Sequence, residues 1–189
     1  MLLERKTAII YGGGGAIGGA VARAFAREGA TLYLAGRTLD RLKQVAEAIR
    51  SAGGAAEAAQ IDALDERAVN AHADAVAASA GRIDISFNAI SLGDVQGTPL
   101  AEMSLADFER PIMNAVRTQF LTTRAAARHM IRQGSGVILT FGGAGGRDPS
   151  RDYYTGGRQV YDDRPSRRHL VECDHLAGHL PRPAPRQRR

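Results

Sequence analysis

The chain has a single cysteine, Cys173, in 189 residues. One cysteine excludes an intramolecular disulfide framework and fits a reducing compartment. No run approaches the roughly 18 consecutive apolar residues of a membrane span. The amino terminus, Met1-Leu2-Leu3-Glu4-Arg5-Lys6, lacks the apolar stretch of a signal peptide. Alanine nearly vanishes near the end, since 31 of the 33 alanines precede residue 159. Together these absences predict a cytoplasmic protein with no membrane segment, whose last part differs in kind from the rest.

What is present supports one globular domain. The length suits a single unit at roughly 100–200 residues per domain. With 44% hydrophobic and 24% charged residues, the chain is not disordered throughout. The net charge of +5 is uneven: +2 falls in residues 1–158 and +3 in residues 159–189. In the last 31 residues Arg, Pro and His together make up 14. The expected division is a folded domain over 1–158 and an irregular, basic tail over 159–189.

Up to residue 141 the pattern alternates between two periods. Short apolar runs at Thr7–Tyr11, Thr31–Ala35, Ala59–Ile61, Ile83–Phe87 and 136–141 read as strands. Between them, Ile17, Ala20, Val21, Ala24 and Phe25 recur at helical spacing, as do Leu42, Val45, Ala46 and Ile49. Further helices are expected over 66–80 and from the cap Ser104 to about Arg132, with a kink at Pro111. Strand–helix alternation implies right-handed crossovers and an α/β, Rossmann-like, doubly wound parallel sheet. The pattern fails beyond Gly145-Gly146, so the sheet is expected to be incomplete at its carboxyl-terminal end.

The first strand runs into Gly12-Gly13-Gly14-Gly15-Ala16-Ile17-Gly18-Gly19. Gly13, Gly15 and Gly18 satisfy G-x-G-x-x-G between a strand and a helix, the context that gives this pattern meaning. Glycines let backbone amides approach a pyrophosphate, which the helix N-terminus then favours. The candidate cofactor-binding residues in this turn are Gly12, Gly13, Gly15, Ile17 and Gly18. The second strand ends Ala35-Gly36-Arg37-Thr38, with Arg37 and no carboxylate. A guanidinium suits a ribose 2′-phosphate better than a free 2′-hydroxyl, so NADP(H) is expected over NAD(H).

With these residues the chain resembles a short-chain dehydrogenase/reductase over roughly residues 5–158. The family's T-G-x-x-x-G-x-G falls on Tyr11, Gly12, Ala16 and Gly18, matching at Gly12 and Gly18 and departing at Tyr11 and Ala16. The resemblance implies that Asp62 contacts the adenine amino group. It places Asn88 at the start of the family's N-N-A-G, and makes Asn114 the asparagine that anchors a proton-relay water. It also implies hydride exchange with a carbonyl or secondary alcohol, assisted by a tyrosine, a lysine and a serine.

Those last three positions are altered. Tyr154 and Arg158 have the i, i+4 spacing of the tyrosine–lysine pair, with arginine replacing lysine. Gly143 stands where the serine is expected. Thr140 has the wrong strand parity to replace it, and Ser91 is the alternative hydroxyl. The candidate catalytic set is therefore Tyr154, Arg158 and Asn114, in an oxidoreductase with an impaired catalytic half. A catalytically dead dinucleotide-binding domain is the alternative, and a basic-tailed nucleic-acid binder a third.

The tail lacks the family's long helix, half of its usual dimer interface, so homo-oligomerisation is left open. The change of composition near residue 158 suggests a shifted reading frame. His169, Cys173, His175 and His179 lack a second ligand pair, and no metal is expected. Nor is nucleic acid, since the tail carries four acids and no aromatic-interleaved pattern.

Overall fold

The structure, a computed structural model, describes residues 1–95 and 97–140 together with the backbone of 160–162. Five parallel strands and four α-helices alternate along the chain. They are β1 (Thr7–Tyr11), α1 (Ala16–Arg27), β2 (Thr31–Gly36), α2 (Leu39–Ser51), β3 (Ala55–Gln60), α3 (Glu66–Ala80), β4 (Ile85–Asn88), α4 (Leu105–Gln133) and β5 (Val137–Thr140). A three-residue strand, β6 (Val160–Asp162), runs antiparallel beside β5, in a stretch where the sequence pattern predicts no element. The sheet order is β3-β2-β1-β4-β5-β6. This is a Rossmann-like α/β fold.

Side-chain parity builds two cores from one sheet. Ile9, Tyr11, Tyr33 and Ala35 face α3 and α4, meeting Val69, Ala73, Leu121 and Ala125. The alternate residues Ala8, Ile10, Leu32 and Leu34 face α1 and α2, meeting Ala22, Leu42, Ala46 and Ile49. Every residue of β1 is buried, as a strand covered on both faces must be. The chain winds from β1 outward through β2 to β3, then returns to β4 on the other side of β1. That reversal opens a crevice at the carboxyl ends of β1 and β4.

Two expectations about boundaries are corrected. The third strand spans Ala55–Gln60 rather than 59–61, because its backbone pairs residue for residue with the whole of β2. Alanine and Glu57 are poor strand formers, and the ladder overrides them. The fourth strand starts at Ile85 rather than Ile83, where Gln133 accepts from the Ile83 amide at 2.8 Å. The last helix is a single one from Leu105 to Gln133, continuous through Pro111. Ser104 caps it as expected, accepting from the Asp107 amide at 3.1 Å. Among the described residues no helix is long and apolar enough to cross a membrane.

Candidate functional site

A cleft of about 1390 Å3 lies along the carboxyl ends of β1, β2, β3 and β4. Its floor is the turn between β1 and α1. Gly12 makes that turn with φ +78° and donates to the Ala35 carbonyl at 2.8 Å, locking it to β2. A Cβ on Gly18 would fall 2.3 Å from the Gly12 carbonyl, so the first turn of α1 sits directly on the loop. Helix α1 begins after Gly15 with no side-chain cap and no acidic residue in its first turn. Its first amides are therefore left to an outside acceptor. An anion such as a pyrophosphate fits a helix N-terminus of this kind.

The candidate residues divide by position. Gly12, Gly15, Ile17, Arg37, Asp62 and Asn114 line the cleft. Gly13 and Gly18 stand behind it, where Gly13 packs on Leu34 and Ile10 and Gly18 on Gly12. Asn88 is also behind the wall, 6% exposed. Its amide nitrogen donates to Thr118 Oγ1 at 3.4 Å and Thr122 Oγ1 at 3.3 Å, and its Oδ1 accepts from the Ile90 amide at 3.1 Å. It thus clamps the strand end of β4 to α4. Asn88→Ala should lower stability by about 2 kcal/mol in urea melts, because it strands the Ile90 amide. It also takes a donor from the Thr118 and Thr122 hydroxyls, which keep only their own bonds to carbonyls of α4.

Arg37, just after β2, and Arg41, in the first turn of α2, both line the cleft, and among the described residues neither forms an ion pair. Arg41 was not singled out in the sequence. Its spacing of four from Arg37, across the start of a helix, is the signal that could have found it. The backbone of Arg37 is held by Gln60, whose Nε2 donates to its carbonyl at 3.0 Å. Asp62 uses Oδ1 to accept from the Leu64 amide at 3.0 Å, which fixes the carboxylate at the cleft. Asn114 donates to the Leu92 carbonyl at 2.9 Å and so ties the loop after β4 to α4.

Beneath the glycine turn lies an unusual pair. Tyr11 is 1% exposed and its hydroxyl has no hydrogen-bond partner among the described residues; burial pushes its pKa far up. Its ring meets His72 edge-on at 6.1 Å. Burial pushes His72 down, which keeps the imidazole neutral at physiological pH.

A model of the short chain dehydrogenase family matches residues 6–155. The chain belongs to that family. An uncharacterised oxidoreductase of Bacillus subtilis is 36% identical over 138 residues, covering 73% of this chain and 50% of that one. A metagenomic short-chain oxidoreductase solved with NADP superposes with a TM-score of 0.70 at 32% identity, over 79% of this chain and 67% of that one. NAD+-bound xylitol dehydrogenase gives 0.73 at 29% identity, over 80% and 58%. The chain spans about half the length of the curated relatives it matches first. Short-chain dehydrogenases are oxidoreductases, and their fold binds NAD(P). Tyr154, Arg158 and Gly143 lie outside the described residues, as do His169, Cys173, His175 and His179.

Proposed function

We propose that this chain is an NADP(H)-dependent short-chain oxidoreductase acting on a carbonyl or secondary alcohol, with residues 1–158 as its cofactor-binding unit. The single observation behind the cofactor choice is the arginine pair at the end of β2, with no ion-pair partner among the described residues. Two guanidinium groups without a carboxylate between residues 35 and 38 suit a 2′-phosphate and leave a bare ribose hydroxyl without an acceptor.

In this reading the amides at the start of α1 hold the pyrophosphate. Arg37 and Arg41 grip the 2′-phosphate, and the second oxygen of Asp62 accepts from the adenine amino group. The dinucleotide, when bound, supplies or takes the hydride. Tyr154 passes the matching proton to or from the substrate oxygen, so that a carbonyl plus hydride plus proton becomes an alcohol. Arg158 supplies the cation that lowers the tyrosine pKa, and Asn114 anchors the relay water.

A second reading is favoured by Gly143, which offers no hydroxyl at the position expected for serine. Loss of such a donor lowers the rate by about 10²–10³-fold. Arginine at 158 is also a poorer bridge to ribose hydroxyls than an ammonium group. A nucleotide-binding domain without turnover would then result.

Fluorescence titration tests the first reading. Arg37→Asp is expected to weaken NADPH about hundredfold, equal to about 2.7 kcal/mol, and to change NADH less than threefold. Equal loss for both cofactors would overturn the 2′-phosphate assignment. Tight NADPH binding with no turnover across a carbonyl panel would select the second reading.

A further inference from the structure

A groove of about 270 Å3 lies apart from the cleft, between α3 and the edge strand β3. The two share no lining residue. Alanine leaves this gap, because Ala58, Ala59 and Ala75 end at Cβ and cannot fill the space between helix and strand. We propose that the groove binds a phenol carrying a short ammonium tail. The inference goes beyond the oxidoreductase reading and does not depend on it.

The floor suits a ring. Tyr33 and Val76, both buried, line it beside Ala59. An apolar cavity of roughly 150 Å3 already holds one benzene. The larger groove therefore has room for one ring and a short chain.

Polar groups in the same groove match the two ends of such a molecule. His72 is 9% exposed, and neither ring nitrogen has a hydrogen-bond partner among the described residues. Burial keeps this imidazole neutral, with one donor and one acceptor nitrogen. A hydroxyl both donates and accepts, so it pairs with either tautomer; a carbonyl or an ether pairs with the donor alone. Tyr33 Oη donates to Ser79 Oγ at 3.5 Å, well beyond the usual separation of about 2.7–2.8 Å. Both hydroxyls thus keep capacity for an occupant. Glu57 pairs in register with Tyr33, which puts the two side chains on the same face of the sheet. It is exposed and forms no ion pair among the described residues. An ammonium group gains a charge-assisted hydrogen bond there.

The experiment is an NMR titration of the 15N-labelled full chain with tyramine, phenethylamine and 4-ethylphenol. The second probe lacks the hydroxyl of the first, and the third lacks its ammonium group. Tyramine is expected to bind at about 1 mM or tighter and to shift the amides of residues 57–59 and 72–79. It should bind about fivefold tighter than phenethylamine and about fourfold tighter than 4-ethylphenol. His72→Phe should remove the preference over phenethylamine. That variant replaces an unpartnered polar ring by an apolar one of similar shape, so it should melt no lower than the native chain. Glu57→Gln, at an exposed position, should remove the preference over 4-ethylphenol. Absence of saturation, shifts confined to the cleft, equal affinity for the three probes, or preferences that survive the two variants would each overturn the proposal. Circular dichroism checks folding; if His72→Phe does not fold, the shift map and Glu57→Gln decide.

Discussion

Gly12→Ala is expected to destabilise the protein by about 3 kcal/mol and to weaken NADPH binding at least tenfold. Two effects add. At φ +78° any residue with a Cβ enters the left-handed region, at a cost of roughly 1–2 kcal/mol. The new methyl would also lie 2.6 Å from the Ala89 carbonyl oxygen and 2.8 Å from its carbon. Those atoms are backbone at the end of β4, and yielding to the methyl means shifting a strand end, which typically costs about 1–3 kcal/mol. For a chain of this size the melting temperature should fall by about 6–12 °C. Gly53→Ala separates the two effects. Gly53 has φ +85° with nothing within 4 Å of a Cβ, so only the dihedral penalty applies. Equal melting temperatures for the two variants would mean that the contact with Ala89 relaxes at no cost. Because Gly12 donates to Ala35 and carries the amides toward the cofactor, its displacement should reach binding as well as stability.

Asp84→Ala should destabilise by about 3 kcal/mol without touching the cleft. Asp84 is 6% exposed and lies where the amino-terminal ends of three strands meet. Its amide donates to the Thr7 carbonyl at 2.9 Å, and its carbonyl accepts from the Val137 amide at 2.8 Å. Its carboxylate accepts from the buried Thr7 amide at 2.9 Å and from Arg82 Nε at 2.8 Å, with Lys6 at 3.4 Å. Alanine keeps the two backbone bonds and strands the Thr7 amide, worth about 1–3 kcal/mol. Removing one partner of a buried pair costs about 3–5 kcal/mol, but Arg82 and Lys6 are 42% and 45% exposed. Water screens them, which pulls the total down.

The same site fixes a pH dependence. Burial alone would raise the Asp84 pKa, yet the Arg82 hydrogen bond, the Thr7 amide and the charges of Arg82 and Lys6 outweigh it and hold the carboxyl below its ordinary value. A folded pKa below the unfolded one, about 3.9, stabilises fully above that unfolded value. The stabilisation is lost as pH falls through the folded one. The stability gap between the native chain and Asp84→Asn should be constant from about pH 5 to 8 and narrow progressively as pH falls below about 4. A gap that keeps its neutral-pH size throughout acid titration of the folded chain would contradict this.

Much of the fold was legible before any coordinates. Ile17, Ala20, Val21, Ala24 and Phe25 mark α1 by spacing alone, and Gly29 at φ +90° stops it. The run Thr7–Tyr11 is a strand because nothing polar interrupts it. By contrast, Ala55–Gln60 carries a strand signal only at its end, Ala59-Gln60; the rest is a strand because β2 offers it six partners. The glycine turn and Arg37, both marked in the sequence, do line the cleft. Asn88 and Arg41 were harder, since their places depend on what stands beside them.

Local pattern therefore determined the element order, the parallel sheet, the family and the position of the phosphate turn. Each follows from side chains within a few residues of one another, whose spacing sets period and backbone freedom. Tertiary structure alone decided which candidates face the cleft. Asn88 turns inward because Thr118 and Thr122, 30 and 34 residues away, offer hydroxyls there. Asp84 becomes a junction because Thr7, 77 residues earlier, presents a buried amide to it. The loop after β4 is tied to α4 because Asn114 donates to the Leu92 carbonyl, 22 residues upstream. No spacing rule encodes such contacts, because the direction of a side chain gains meaning only from the elements packed against it.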